Sequence, residues 1–177
     1  MKKYIFAALT LLVISIWTAP ADCAAARKQD EVIKVLAIGN SFSEDSIEQN
    51  LWQIANSQGV EMVVANMYIG GCSIDRHHQN IVDNKHDYRY CKIDVNGKKV
   101  RKGGVSLSDV IADEKWDYVS IQQVSQEAGR PQSYGNLEAV VGWIRANAPQ
   151  AEVVFHQTWA YSPNSSHGGF IHYGKNQ

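Results

Sequence analysis

What this chain has little of narrows its function before any motif does. It carries only three cysteines in 177 residues, Cys23, Cys72 and Cys91, too few for the disulfide framework of a small secreted scaffold. Cys72 and Cys91 keep two readings, one disulfide or two buried thiols. There is no long basic run, and the formal net charge is −1. A concentrated positive patch for phosphate backbones is therefore missing, and nucleic acid is not an expected partner. No repeat, low-complexity tract or linker follows the N-terminal region. No glycine-rich phosphate loop follows the first apolar run, which argues against a nucleotide-binding module. His77, His78 and His86 fall at no regular ligand spacing. A solvated loop is the expected setting for them, and no metal or organic cofactor is implied.

What is present suits one globular domain with a real core: 45% hydrophobic and 20% charged residues. Residues 1–26 read as a signal peptide and leader. Lys2-Lys3 supply a basic start, Tyr4 to Trp17 an apolar run, and Ala19-Pro20-Ala21 a small-residue cleavage pattern. The run is too short and wrongly flanked for a spanning helix. Cleavage is expected after Ala21, or at Ala24 to Ala26, giving a secreted or periplasmic protein. Pro20-Ala21-Asp22 before Cys23 matches a lipoprotein box poorly, so a lipid anchor is not favoured.

From residue 31 the hydrophobic pattern alternates between strand and helix. Val32 to Ile38 reads as a central strand, apolar on both faces. Ser46 to Gln58 carries Ile47, Leu51, Ile54 and Ala55 on one helical face and stops at Gly59. Glu61 to Ile69, Trp116 to Gln123 and Ala151 to His156 read as three more strands. Leu137 to Ala148 reads as a helix, and Ser106 or Ser108 as the cap of a short one ending at Ala112. His77 to Lys102 reads as an irregular polar stretch. Within it Asn96-Gly97 sits between Tyr88–Val95 and Lys98–Lys102, a strong hairpin signal. This order predicts an α/β protein with a parallel sheet, helices on both faces, and the hairpin inserted over the rim.

Such a sheet gathers its chemistry at the C-terminal ends of its strands. Four ends then converge: Gly39-Asn40-Ser41, Tyr68 to Gly71, Gln122 to Gln126, and His156 to Trp159. Ser41, between the first strand and its helix, is a candidate nucleophile, because the free N–H groups at a helix start favour an alkoxide or oxyanion. Ser41 or Ser43 would serve equally well as an ordinary N-cap. His156 suits a structural role as well as a functional one. Trp159 and Tyr161 would stack on a sugar or pack within the fold, and Trp52 and Trp143 are expected to pack.

Taken together, Gly39-Asn40-Ser41-Phe42-Ser43, Asn66-Met67-Tyr68-Ile69-Gly70-Gly71 and Asp117 to Glu127 resemble the first three sequence blocks of the SGNH (GDSL-like) hydrolases. Asn40 stands where an Asp is more usual. Ile69-Gly70-Gly71-Cys72-Ser73, Trp116-Asp117-Tyr118-Val119 and His156 to Tyr161 further resemble a subfamily of exported bacterial SGNH-like proteins of unassigned function. The resemblance runs from about Ile33 to Gln177. It implies a three-layer flavodoxin-like fold and a serine esterase that removes acyl groups from a carbohydrate. Ser41 would be the nucleophile, with the backbone N–H of Gly71 and the amide of Gln126 or Gln123 stabilising the oxyanion. His77, Gln122, His156 and Trp159 would contact the substrate.

The chain departs from that pattern in two places. Val124-Ser125-Gln126-Glu127 replaces the Gly-x-Asn-Asp of the third block, and no late Asp-x-x-His follows the fourth strand. Asp75-Arg76-His77-His78 fits the four-residue pattern but follows the second strand, and so short a match arises easily by chance. The expectation is a domain over 27–177 that lacks its last strand and helix and the histidine that would serve as base. The rival reading is a non-catalytic carbohydrate- or envelope-binding module on the same fold.

Overall fold

A computed structural model of the chain describes residues 31–168 and 170. The expected leader, residues 1–26, lies outside them. The fold is a six-stranded sheet in the order β4-β3-β2-β1-β5-β6. β1 (Ile33–Gly39) lies at its centre. It runs parallel to β2 (Met62–Tyr68), from Ile33 opposite Met62 to Gly39 opposite Tyr68. On its other side it is parallel to β5 (Tyr118–Ile121), which in turn pairs in parallel with β6 (Glu152–Phe155). From Val35 to Ile38 β1 is apolar because each face meets a different core. Leu36 and Ile38 join Met67, Trp116, Val119 and Ile121 in the larger one. Val35 joins Val64, Ile93 and Ala55 in the smaller.

The helices complete three layers. A helical run follows β1 as a single turn α1 (Ser41–Ser43), a π-helical segment Glu44–Leu51, and α2 (Trp52–Ser57). Its residues Ile47, Leu51 and Trp52 cover the smaller core. α3 (Ile74–Val82), α4 (Leu107–Ile111) and α5 (Leu137–Asn147) cover the larger one. Ser106 caps α4 through a capping box with Asp109, each satisfying the other's free backbone donor.

Two expectations need correction. The hairpin does not lie over the rim. Its strands β3 (Tyr88–Ile93) and β4 (Lys99–Val105) extend the sheet antiparallel beyond β2, whose outer edge would otherwise present unpaired N–H and C=O groups. At its turn Asp94 Oδ1 accepts from the N–H groups of Asn96 and Lys98. Gly97, at φ +79°, packs on the Trp52 ring so closely that a Cβ would lie 2.7 Å from it. The stretch after Ser73 is also helical rather than irregular. α3 turns Ile74, His77 and Asn80 inward, so two polar residues occupy part of the face an apolar pattern would have marked.

Cys72 and Cys91 are both buried free thiols, so the disulfide alternative falls. Burial pushes the Cys72 thiol up to about 12 and the Cys91 thiol up to about 11, which leaves both protonated. Among the described residues β6 pairs with β5 alone, and Val154 and Phe155 are exposed at that edge. Among the described residues no helix is long and apolar enough to cross a membrane.

Candidate functional site

The C-terminal end of β1 carries the site. Ser41 is exposed, and its hydroxyl forms no hydrogen bond with a described residue. The capping roles fall to its neighbours. Asn40, fully buried, accepts from the Phe42 N–H at 3.2 Å. The buried Ser43 hydroxyl lies 2.8 Å from the Asn40 carbonyl and 2.9 Å from Asn66 Oδ1. Ser41 is thus neither consumed as a cap nor buried against its own helix.

Asn40 ties three strand ends together. Its Nδ2 donates to the Cys72 carbonyl at 2.9 Å, which fixes the Gly70–Cys72 turn after β2 beside it. Its Oδ1 accepts from Gln122 Nε2 at 2.5 Å, which fixes the end of β5. Gly39 is required beneath this junction by close approach. A Cβ there would lie 2.5 Å from Ser43 Oγ and 2.9 Å from Gln122 Oε1. Gly71 is required for another reason, since its φ of +62° is the left-handed region with open space around the missing Cβ. Its N–H donates to no described residue and is available to a ligand.

Two clefts flank the junction. One of about 400 Å³ is lined by Gly71, Ser73, Asp75, Gln126 and the Glu127–Arg130 ion pair (3.0 Å) among others. A second of about 390 Å³ is lined by Tyr134, Phe155, Gln157 and Thr158, with Ala128, Gly129 and Ala160. Gln123 stands between them and lines both. Its Oε1 accepts from the N–H groups of Ile74 and Val124, and its Nε2 donates to the carbonyl and hydroxyl of Ser133. Gln123 is therefore a cross-link within the wall, with no donor left for a substrate. Gln126, the other candidate amide, lines the Gly71 cleft as well. Ser41 and His156 line neither of these two clefts.

The candidate substrate contacts separate as well. His77 has no exposed surface. Its Nδ1 lies 2.9 Å from the Tyr88 hydroxyl and 3.5 Å from Cys72 Sγ. Burial, reinforced by the nearby Arg76 charge, pushes its pKa down to about 3. It is a core histidine that no substrate reaches, which corrects the expectation for it. Asp75, of the same four-residue match, accepts from Asn136. Gln122 and His156 remain at the strand ends. Trp159 leans on Phe42, with ring centroids 4.1 Å apart, beside Ser41.

One cluster lay beyond sequence reasoning. Glu48, buried inside the π-helical segment, accepts from Arg101 at 2.8 Å, from Arg89 at 3.1 Å and from Asn66 at 3.2 Å. Arg89 also pairs with Glu44 at 2.6 Å and lies 4.1 Å from the centre of the Tyr68 ring. Burial alone would raise the Glu48 pKa. The bonds from Arg101 and Asn66 and the Arg89 charge outweigh it, so the carboxyl lies below its ordinary range. Through Asn66 and Ser43 this network anchors the Ser41 turn to the hairpin. Its members come from four separate elements, the π-helical segment, β2, β3 and β4, and no local spacing announced it.

These features define an α/β protein with a mixed six-stranded sheet and a polar site at the strand ends. A solved protein from Slackia heliotrinireducens, itself only proposed to be an SGNH hydrolase, shares this fold. It is 20% identical, with a TM-score of 0.50, over 81% of this chain and 65% of that one. Residues 34–177 match the family described as "Domain of unknown function (DUF4886)", and the chain belongs to that family. The crystal structure of a DUF4886 family protein from Bacteroides uniformis is 44% identical with a TM-score of 0.80, covering 83% of this chain and 57% of that one. The chain thus spans little more than half the length of that relative. No curated protein matches it.

Proposed function

We propose that this chain belongs to the SGNH superfamily and is the Ser41-bearing part of an exported serine hydrolase, an esterase acting on acylated carbohydrate. The observation that carries the reading is the state of Ser41. It stands exposed at the end of the central strand with a free hydroxyl, while Asn40 does the capping and holds the Gly71 turn alongside. In this reading Ser41 Oγ attacks the ester carbonyl, its proton passing to a histidine base expected in the longer protein, and the tetrahedral intermediate expels the alcohol to leave an acyl-serine that water hydrolyses. The Gly71 N–H and the Gln126 amide face the oxyanion, and losing one such donor typically costs about 10²–10³ in rate. The resemblance of the Gly-Asn-Ser-Phe-Ser and Ile-Gly-Gly segments to SGNH blocks supports it, and so does the shared fold.

Labelling of the full-length protein with a fluorophosphonate, followed by peptide mass spectrometry, tests it. Adduct on Ser41 and its loss in Ser41→Ala are expected. Because Ser41 is exposed and unbonded, that variant should keep wild-type stability within about 0.5 kcal/mol. A folded protein that takes no label, or takes it elsewhere, refutes the reading. It would leave the non-catalytic carbohydrate- or envelope-binding module, which the committed amide of Gln123 favours.

A further inference from the structure

The Ser41 hydroxyl forms no hydrogen bond with a described residue, so its place depends on the backbone around it. That backbone is a single turn, closed where the Glu44 N–H donates to the Asn40 carbonyl at 3.1 Å. One side of the turn is fixed by Asn40, which is tied to Cys72 and Gln122. The other side is fixed by Ser43, which has no exposed surface. The Ser43 hydroxyl carries one proton and has two acceptors in reach, the Asn40 carbonyl at 2.8 Å and Asn66 Oδ1 at 2.9 Å. The Asn40 carbonyl already accepts from Glu44, whereas Ser43 is the only described donor to the buried Asn66 Oδ1. The Ser43 proton therefore belongs to Asn66. Glu48 settles which way Asn66 faces. A carboxylate only accepts, so the Asn66 amide turns Nδ2 toward Glu48 Oε2, at 3.2 Å, and is left with Oδ1 on the Ser43 side. Glu48 is held in its turn, since Oε1 accepts from Arg101 at 2.8 Å and Oε2 from Arg89 at 3.1 Å. Those donors stand on β2, β3 and β4, so the carboxylate cannot rotate without breaking a bond to one of them. Each link from the hairpin to the Ser41 turn is thus a hydrogen bond of fixed direction.

We propose that Ser43, Asn66 and Glu48 are positioning residues that hold the turn carrying the Ser41 hydroxyl in the geometry from which it attacks. Each is at most 1% exposed, so none of them touches substrate, and they act through the backbone of the turn. The inference rests on the hydrolase reading for the attack but not for the ordering of the turn. Ser43→Ala cuts the near end of the chain of bonds. Glu48→Gln acts from the far end, because glutamine has one acceptor oxygen where the carboxylate has two. With that oxygen kept on Arg101, which bonds it through both Nε and Nη2, the new Nε2 faces Asn66. Asn66 must then reverse its amide and withdraw Oδ1 from Ser43.

Fluorophosphonate labelling of the full-length protein, in which Ser41 Oγ displaces fluoride from phosphorus, is followed over a range of reagent concentrations. This separates the binding constant of the reagent from the rate of bond formation at saturation. Misplacing a reacting atom by about 1 Å costs as much as about 10²-fold. Ser43→Ala and Glu48→Gln should therefore each slow bond formation at least about tenfold with the binding constant unchanged. The double variant should be no slower than the slower single one, because both changes cut the same chain. A role confined to stability would lower the fraction of protein that labels and leave the folded fraction reacting at the wild-type rate. That result, or losses that multiply in the double variant, would overturn the proposal. If the wild-type protein takes no label on Ser41, the hydrolase reading has failed, and amide hydrogen exchange decides the positioning alone. The Phe42 and Glu44 N–H groups, both bonded to Asn40 across the turn, should exchange at least about tenfold faster in each variant while the β5 amides keep their wild-type rates. Unchanged exchange at Phe42 and Glu44 refutes it.

Discussion

His77 makes a measurable demand on stability. Its imidazole is wholly buried against the Tyr88 hydroxyl and the Cys72 thiol, and desolvation pushes its pKa down to about 3 from an ordinary 6.5. In the unfolded chain the same ring titrates near the ordinary value. Between those two limits the unfolded state binds the extra proton and the folded state refuses it, so stability rises with pH. The contribution is fully present above about pH 6.5 and is lost as pH falls toward 3. Each pH unit below 6.5 costs about 1.4 kcal/mol, so moving from pH 7.5 to pH 5 should remove about 2 kcal/mol. That is a large share of a typical domain stability of about 5–15 kcal/mol. Urea unfolding at the two pH values, in wild type and in His77→Gln, isolates the effect. Gln keeps a polar partner for Tyr88 but cannot titrate, and its own baseline cost cancels within each variant. His156 and the carboxylates titrate in both proteins and cancel as well. Wild type should lose about 2 kcal/mol more than the variant at unchanged denaturant slope. The same pH dependence in both would show that the His77 site admits a proton or water, and the burial argument would be wrong.

Two further outcomes follow from the junction and its anchor. Gly39→Ala would place a Cβ 2.5 Å from Ser43 Oγ and 2.8 Å from Ser43 Cβ, at the start of a helix that has nowhere to retreat. Overpacking of this kind costs about 1–3 kcal/mol, so the urea midpoint should fall, and an unchanged midpoint would refute the tight packing at this site. Glu48→Gln removes a buried charge that two arginines face, but those arginines keep partial access to water. The cost should therefore fall below the about 3–5 kcal/mol of a fully buried pair, at roughly 1–3 kcal/mol. Because the Glu48 pKa is lowered on folding, its contribution is present above the ordinary carboxylate range and lost as pH falls through the folded value. Acid unfolding of the variant should accordingly show a weaker pH dependence than wild type, and identical acid curves would refute the role assigned to this carboxylate.

The elements that read correctly from sequence were those whose signal is local. β1, β2 and β5 appear as apolar runs because each is buried on at least one face, and β6 appears as one although Val154 and Phe155 are exposed. The hairpin appears because Asn96-Gly97 has the backbone freedom its turn needs, and α4 because Ser106 and Asp109 lie three residues apart. α3 was hidden because His77 and Asn80 stand where apolar residues were sought. Whether the hairpin covers the rim or extends the sheet depends on which strand edge lies open, and no local pattern states that. Glu48 reads as an ordinary surface acid until Arg89 and Arg101, 41 and 53 residues away, fold onto it.

By itself, then, the sequence determined the order of strands and helices and the placement of Ser41, Gly71, Gln122 and His156 at strand ends. A chain with those apolar runs and glycines has few other ways to bury them. Only the tertiary structure decided which polar groups are spent inside. It consumed Gln123 in the wall between two clefts and sank His77 into the core. It left the Ser41 hydroxyl free, and Gln122 Oε1 and His156 Nδ1 each buried without a hydrogen-bond partner. The reason is that a hydrogen bond depends on which atoms meet in space, and residues adjacent in the chain, such as Gln122 and Gln123, can face entirely different partners.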